Sequence, residues 1–323
     1  MKKGRIFFSF AVALVVAFTF LFGSSLLLRK DEEERPEIGI VTVWHIDTFE
    51  GGVGSRKQFL LDTAAKYQKT NTGSLIMVIG FTEDGANAEM EKGNYPDVLS
   101  FGAGVKLGRF VKLNGEEYPE GNVNGEQAAK IWAKGNYAVF YKGESLPDGI
   151  DKITVSTASN TLPLVAFSLS GYTAEKIVEK SPLDAYYDFV NGNTDYLLGT
   201  QRDAHRLINR NFNFNIIPLD GFSDLNQFIA VTTTDEKKVK TASKFIDFLL
   251  SDKVQESLYK IGLFSVKSTV EYENEKLKSL SELKTNGISV LYGAEKIDEI
   301  RELSRLSATG DKDALKKINK LLF

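Results

Sequence analysis

Three side chains with binding chemistry follow the first apolar run of the chain: Trp44, His45 and Asp47. The indole of Trp44 can stack on the face of a sugar ring, and the imidazole of His45 can donate a hydrogen bond. The carboxylate of Asp47 can accept bonds from hydroxyl groups or hold a cationic ligand. Each also has a purely structural interpretation, in which Trp44 packs against the following helix and Asp47 is an exposed loop acid.

The loop after these residues is rich in glycine and contains Gly51, Gly52 and Gly54. Glycines at the start of a helix let backbone N–H groups approach an oxygen-bearing ligand closely. No Gly-Lys-Ser or Gly-Lys-Thr sequence follows, so the pattern does not predict a nucleotide phosphate loop. The alternative is a flexible turn that binds nothing.

A second polar group, Gln201, Arg202 and Asp203, follows a short apolar run late in the chain. The pattern there predicts a turn from a strand into a helix. Gln201 or Arg202 can contact a ligand at this turn. Alternatively, Arg202 and Asp203 form an ion pair that caps the helix. His205 is predicted to be structural.

The elements that position the first group alternate between strands and helices. Strands are predicted at 38–44, 74–80 and 95–101, with a helix in each interval. This β-α-β-α-β order indicates an α/β fold with a parallel sheet and right-handed crossovers. Ligands of such sheets bind beyond the carboxyl ends of the strands. Gly102 is therefore predicted to share a cleft with the residues that follow the first strand.

The remaining predicted elements are less regular. Strands are predicted at 137–141, 196–199, 212–218 and 228–231, and helices at 181–190, 203–209, 239–250, 252–261, 295–306 and 311–322. A Ser/Thr-rich stretch at 153–170 has no predicted element.

The first thirty residues are predicted to be a signal or anchor helix, separate from the rest. Lys2, Lys3 and Arg5 precede an uncharged apolar run at 6–28. As a helix this run is about 34 Å long, which is enough to cross a bilayer. The basic leader predicts a cytoplasmic N-terminus and an extracytoplasmic body. A cleaved signal peptide is the alternative, although the run is longer than the apolar region of most signal peptides.

The composition excludes several classes of function. The chain has 323 residues, of which 42% are hydrophobic and 26% charged, as is typical of a globular protein. It has no cysteine and two histidines, so no disulfide, cysteine-ligated metal, thiolate nucleophile or cofactor is predicted. Residues 31–323 contain 35 basic and 43 acidic residues, a net charge of −8, which gives no basis for nucleic-acid binding. Residues 31–37 are predicted to tether this acidic body to the membrane.

Several stretches, in order from residue 40 to 266, resemble the extracellular solute-binding proteins of ABC importers. This family includes the maltose-type sugar receptors. Its first β-α unit is similar to 41–45 (VTVWH), and its P-D-V strand is similar to 95–98 (YPDV). A typical helix end is similar to 67–73 (YQKTNTG), with Thr72 where the family has proline. Further matching stretches are 136–141 (NYAVFY), 196–206 (YLLGTQRDAHR) and 245–266 (FIDFLLSDKVQESLYKIGLFSV).

The resemblance implies a two-lobed, type II periplasmic-binding-protein fold that closes about a hinge. Lobe 1 is predicted to comprise 38–103 and 219–266, and lobe 2 to comprise 104–218 and 267–323. The implied ligand is a small solute, a sugar or oligosaccharide, and the implied partner is an ABC permease. A monomer without catalytic residues is expected.

The same resemblance gives roles to three more residues. Tyr137 begins the predicted strand that enters the second lobe, and Phe222 and Asp224 lie on the return path between the lobes. Each of the three can contact a ligand. The alternative is that Tyr137 belongs to the core, and Phe222 and Asp224 to the hinge loop.

Two departures from the family pattern leave other functions open. Gram-positive members carry a lipid-attached cysteine, which the apolar segment replaces here. The chain is also short between Tyr141 and Tyr196, so the second lobe is predicted to be trimmed and the identity of the sugar is open. A retained anchor also suits a ligand-binding sensor subunit with a membrane partner. A further alternative is an extracytoplasmic carbohydrate-active enzyme, although no acid pair can be placed across a cleft.

Overall fold

The computed structural model describes residues 39–47, 54–143, 149–158 and 161–323. Residues Gly39–Phe323 form one compact unit. Two five-stranded sheets and a short two-stranded ribbon make up its β-structure. The predicted α/β class is therefore confirmed.

The first sheet contains β1 (Gly39–Asp47), β2 (Ser74–Thr82), β3 (Val98–Phe101), β6 (Lys130–Ala133) and β12 (Gln227–Val231). Their order across the sheet is β2-β1-β3-β12-β6. β1 is parallel to β2 and β3, whereas β12 runs antiparallel to β3 and β6. Every residue of β3, β6 and β12 is buried, as expected for strands that are covered on both faces.

The second sheet contains β7 (Tyr137–Tyr141), β8 (Ile150–Ser156), β9 (Ala174–Lys180), β10 (Tyr196–Thr200) and β11 (Asn215–Pro218). Their order is β11-β7-β10-β8-β9. β7 is antiparallel to β10 and β11, while β8 is parallel to β9 and β10. The ribbon consists of β4 (Asn122–Val123) and β5 (Glu126–Gln127).

The helices of the described chain are α1 (Arg56–Thr70), α2 (Glu83–Glu91), α3 (Pro163–Leu169), α4 (Pro182–Val190), α5 (Gln201–Asn209), α6 (Glu236–Leu249), α7 (Asp252–Gln255), α8 (Glu275–Ser281), α9 (Ala294–Ala308) and α10 (Lys312–Leu322). Pro119–Gly121 and Glu256–Ile261 are 3-10 turns. Polar side chains fix several helix starts. The Ser55 hydroxyl accepts a hydrogen bond from Gln58 N, and Thr200 and Asp203 form a capping box at α5.

Helices cover both faces of each sheet. α1, α6 and α7 pack on one face of the first sheet around Trp132, and α2 packs on part of the other face. In the second sheet, α3, α9 and α10 cover one face, while α4 and α5 cover the other. Each sheet with its helices therefore has its own hydrophobic core, as a separate lobe requires.

Short connections join the two sheets. β6 leads into β7 through residues 134–136, and β11 leads into β12 through residues 219–226. Phe264 forms an antiparallel bridge with Lys134 beside the first connection. The predicted lobe boundaries stay a prediction. However, β6 lies within the segment 104–218 and yet pairs with β12, so that segment does not lie wholly on the second sheet. A buried apolar run such as IWA is placed by its partner strand, which the local sequence does not reveal.

The predicted anchor at 6–28 lies outside the described residues. Among the residues that the structure describes, no helix has both the length and the apolar character needed to cross a membrane.

Candidate functional site

The strand directions place the carboxyl ends of both sheets opposite each other. β6 runs in the same direction as β3, because both are antiparallel to β12. β1, β2 and β3 therefore end at the edge where the chain leaves for the second sheet. β8, β9 and β10 run antiparallel to β7, back toward that edge, and end facing the first sheet. The cleft between these strand ends is the candidate site.

Arg202 joins the two sides of the cleft. It lies in the first turn of α5, just after β10, and is fully buried. Its Nη2 donates a hydrogen bond of 2.5 Å to the backbone oxygen of Gly54, which lies between β1 and α1. A Cβ atom on Gly262 would lie 3.4 Å from Arg202 Cα, so this helix start is packed closely against the first lobe. Gly54 itself has φ = 76°, a conformation that favours glycine.

Gln201 offers a hydrogen-bond donor beside this contact. Its side chain is 1% exposed, and its Oε1 accepts a 3.0 Å bond from the backbone N–H of Asn136. Its Nε2 has no hydrogen-bond partner among the described residues. A buried amide donor without a partner costs free energy unless a ligand or water completes it.

Two hydroxyl groups that the sequence did not single out stand at the end of β8, next to β10. Ser156 Oγ and Thr157 Oγ1 are buried and have no hydrogen-bond partner in the described part of the chain. Because β8 pairs with β10 in parallel, through Val155 and Leu198, these residues follow β8 at the same sheet edge at which β10 leads into α5. The only sequence signal was the Ser/Thr-rich composition of 153–170, which gave no reason to choose these two.

Asp203 fixes the turn that presents Gln201 and Arg202. Its Oδ2 accepts a 3.0 Å bond from the backbone N–H of Thr200, and Arg206 Nη1 lies 3.7 Å from Oδ1. Burial raises the pKa of this carboxyl, against the opposing effects of the Thr200 amide and the neighbouring arginines. One alternative from the sequence was that an ion pair between Arg202 and Asp203 caps this helix. In the structure, the cap of α5 is formed by Thr200 and Asp203.

The side chains at the end of β1 are largely enclosed. Trp44 is 8% exposed, and its ring centroid lies 4.4 Å from that of Phe81. His45 is fully buried, with Nδ1 3.1 Å from Ser100 Oγ and Nε2 3.0 Å from Asp47 Oδ1. Asp47 is partly exposed, so among these three it is the residue with access to a ligand. Trp44 therefore packs on the face of the sheet that α2 covers, and not against the following helix α1, which covers the other face.

Tyr137, Phe222 and Asp224 lie at the connections between the sheets. Tyr137 OH donates a 2.6 Å hydrogen bond to Asp224 Oδ1, and Leu162 N donates a 2.8 Å bond to Asp224 Oδ2. Tyr137 and Phe222 are fully buried. The structure thus packs these residues at the connections between the sheets, and their contact with a ligand stays a prediction.

The glycines of the predicted site have different placements. Gly102 is buried just after β3, at the carboxyl edge of the first sheet. Gly51 and Gly52 lie outside the described residues. The described residues contain no group of three or more His, Cys, Asp or Glu side chains that could hold a metal ion.

A cavity of about 670 Å³ lies beside the first connection between the sheets. It is lined by residues of the first connection, such as Asn136, and by residues 265–285. The polar groups of Asn136 are occupied, because Nδ2 donates to Leu280 O and Oδ1 accepts from Thr285. This cavity therefore borders the candidate site through Asn136, whose backbone N–H donates to Gln201 Oε1.

The charge on Asp224 makes stability depend on pH. Burial raises the pKa of Asp224 from its ordinary 3.8 to about 6, although bonds from Tyr137 and Leu162 oppose the shift. The folded state thus binds this proton more tightly than the unfolded chain, so the contribution of Asp224 to stability is greatest below pH 4 and is lost as the pH rises through about 6. The loss is at most about 3 kcal/mol.

We expect Asp224→Asn to remove this part of the pH dependence. The amide cannot accept both hydrogen bonds, so the variant is less stable at every pH, but its free energy of unfolding should change less between pH 4.5 and 7. Denaturant unfolding of both proteins at the two pH values measures the difference. Equal slopes for the two proteins would contradict the assignment.

Comparison with known proteins identifies the architecture. No protein-family model and no curated protein sequence matches this chain. The GacH receptor of Streptomyces glaucescens, solved with and without acarbose, superposes with a TM-score of 0.62, covering 88% of this chain and 98% of that receptor at 14% identity. The chain has the fold of an ABC-importer binding protein.

Two further structures share this fold. The Listeria monocytogenes substrate-binding protein in complex with cycloalternan has a TM-score of 0.58 and 13% identity, covering 87% of this chain and 98% of that one. The maltodextrin-binding domain MalE of Bdellovibrio bacteriovorus, bound to maltotriose, has a TM-score of 0.58 and 13% identity, with 87% and 97% covered. The two-lobed fold expected from the sequence is confirmed by these likenesses.

Proposed function

We propose that this protein is the extracytoplasmic solute-binding receptor of an ABC importer and that it captures a carbohydrate in the cleft between its lobes. The observation that carries the proposal is that buried polar atoms without partners directly follow two neighbouring strands, β8 and β10, at the edge of the second sheet that ends toward the first. Gln201 Nε2, Ser156 Oγ and Thr157 Oγ1 have no partner in the described part of the chain. Arg202 next to them already contacts the opposite lobe.

The chemistry of this group suits a neutral, hydroxyl-rich ligand. Hydroxyl and amide groups donate and accept hydrogen bonds without requiring a charge on their partner. Sugar hydroxyls do the same, so each can complete one of the unpaired groups. The three structures compared above come from proteins solved with acarbose, cycloalternan and maltotriose, which supports a carbohydrate for this chain as well.

Binding without catalysis is the activity that we propose. Asp47, His45 and Ser100 form a hydrogen-bonded row of the residue types found in serine hydrolases. However, Ser100 is fully buried within β3, and its hydroxyl accepts a 3.2 Å bond from Trp132 Nε1. A nucleophile must reach its substrate, so we assign this row a structural role.

The proposal extends to the membrane. We propose that residues 6–28 tether the protein to the outer face of the cell membrane, where a permease receives the solute from the closed lobes. Retention of the full chain, but not of residues 31–323, in alkali-washed membranes tests the tether.

A thermal-shift panel tests the ligand class. Residues 31–323 are suitable because Gly39–Phe323 form one compact unit. We expect a carbohydrate to raise the unfolding midpoint, since a ligand at a hundredfold excess over its dissociation constant stabilises the folded state by about 2.7 kcal/mol. Oligosaccharides, monosaccharides, amino acids, polyamines and phosphate form the panel. A shift with a charged class alone would contradict the proposal.

Variants of the unpaired groups place the ligand. Thr157→Val and Gln201→Ala should each weaken the apparent affinity about tenfold, because each removes one hydrogen bond worth about 1–1.5 kcal/mol. Thr309→Val is the matched control, since Thr309 is exposed at the end of α9 and far along the chain from the cleft. Unchanged affinity in both cleft variants would exclude this edge as the binding site.

A further inference from the structure

The strand β2 is an edge strand without any charged residue. Its nine residues, SLIMVIGFT, pair with β1 on one side, and no described strand pairs with the other side. Soluble proteins usually protect such an edge with charged residues, proline or a bulge, because its unpaired backbone groups can accept another strand. None of these features is present in β2.

One face beside this edge is apolar and exposed. Ile40, Leu75, Met77 and Ile79 are 46%, 38%, 44% and 39% exposed. Ile40 pairs with Leu75, and Trp44 pairs with Ile79, so these side chains share one face of the sheet. α2 covers only the carboxyl half of this face, where Trp44, Phe81 and Ala86 pack together. The exposed residues form a patch at the amino half and centre of β2.

The backbone of β2 shows which groups face the open edge. Ile76 N donates a 2.7 Å hydrogen bond to the side chain of Gln68 and not to β1. Hydrogen-bonding direction alternates along a strand, so Val78 and Gly80 also present their backbone groups to the open edge. These are the groups that a further strand would meet.

We propose that this edge is the interface of a symmetric dimer in which β2 pairs antiparallel with β2 of a second copy. A twofold axis at Val78 places the two Val78 residues in a hydrogen-bonded pair and brings Ile76 opposite the partner's Gly80. The same register places Met77 opposite the partner's Ile79 and Leu75 opposite the partner's Phe81. The exposed apolar residues thus become cross-strand partners on one face.

The register brings apolar side chains of the two copies together. Met77 and Ile79 meet as non-hydrogen-bonded pairs, in which side chains approach most closely. Ile76 lies opposite the partner's Gly80, against which the flexible side chain of Lys57 packs in each copy. The paired strands bring no like charges together, because β2 has none, and the Lys57 side chain beside Gly80 must turn toward solvent. One existing bond must be exchanged, since Gln68 gives up Ile76 N to the partner strand. The inference is independent of the proposed function, and it departs from the monomer expected from the sequence.

Disulfide trapping tests the register, because the chain has no cysteine of its own. Two Cα atoms in a hydrogen-bonded antiparallel pair are about 5.5 Å apart, within the range of a disulfide. We expect Val78→Cys in residues 31–323 to form a covalent dimer under mild oxidation. Leu75→Cys is the matched control, because the two copies of residue 75 would lie about 20 Å apart along the strands. Equal cross-linking of both variants, or of neither, would overturn the proposal.

Sedimentation of unmodified residues 31–323 gives a second measurement that does not depend on the cysteine variant folding. We expect a monomer–dimer equilibrium over the micromolar range. Met77→Lys together with Ile79→Lys should weaken dimerisation at least a hundredfold, because lysines then oppose each other across the axis. Met77→Lys together with Ile79→Glu should restore it, since opposite charges then meet. A monomer at every concentration would overturn the proposal, as would equal dimerisation of both double variants.

Discussion

Trp132→Ala is expected to lower the free energy of unfolding by about 3–5 kcal/mol, the range for loss of a fully buried large aromatic residue. Trp132 has no exposed surface, and its ring stacks on Phe59 with centroids 5.9 Å apart. Its Nε1 donates to Ser100 Oγ at 3.2 Å. The substitution therefore leaves a cavity between β6 and α1 and also leaves a buried hydroxyl without its donor. Denaturant unfolding of residues 31–323 measures the loss.

Two controls make this result specific. Trp132→Phe keeps most of the ring but loses the hydrogen bond, so we expect a loss of about 1–2 kcal/mol. Tyr259→Ala removes an aromatic ring that is 52% exposed in the 3-10 turn after α7, and it should change stability by less than about 0.5 kcal/mol. A loss below about 1 kcal/mol for Trp132→Ala would contradict the core described for the first lobe.

Arg202→Ala is expected to weaken carbohydrate binding by about tenfold to a hundredfold. Its guanidinium is the described contact from α5 to the loop before α1, through Gly54. A hydrogen bond made by a charged group is worth about 1.5–3 kcal/mol, and a receptor that closes on its ligand needs the contacts that hold it closed. Without the contact from Arg202 to Gly54, a smaller fraction of the protein is in the closed conformation, and the apparent affinity for the ligand falls in proportion.

Arg206→Ala is the matched control for Arg202→Ala. Arg206 lies one turn further along the same helix, with its guanidinium carbon 3.8 Å from the centroid of Tyr186, within the second lobe. Its loss should reduce stability without changing affinity by more than about twofold. If both variants bound equally, the proposed contribution of Arg202 to closure would be wrong.

Local sequence patterns predicted the elements that are buried and apolar. β7 has the predicted bounds, because YAVFY is a short β-type run that needs no context. β9 was missed, since its sequence AEKIVEK carries charged residues that are typical of an exposed helix or loop. It forms a strand only because β8 offers an edge to pair with, which is information from another part of the chain. α3 was missed within the Ser/Thr-rich stretch for a similar reason, because six of its seven residues are buried by packing against the second sheet.

The candidate site was predicted in part. The sequence singled out Gln201 and Arg202 because polar residues end an apolar strand there, and the structure places them between the sheets. Ser156 and Thr157 were missed, since nothing local shows that β8 ends beside β10. The enclosure of Trp44 and His45 depends on Phe81 and Ser100, which come from other strands, so the pattern around residue 44 left both alternatives open.

Calorimetric titration of an oligosaccharide into residues 31–323 tests the central claim most directly. The probe is the oligosaccharide that gives the largest thermal shift, and the comparison proteins are Gln201→Ala and Thr309→Val. The account predicts one binding site per chain, an affinity at least tenfold weaker in Gln201→Ala, and no change in Thr309→Val. An absence of binding heat with any carbohydrate at millimolar concentration would contradict it, as would equal affinity of all three proteins.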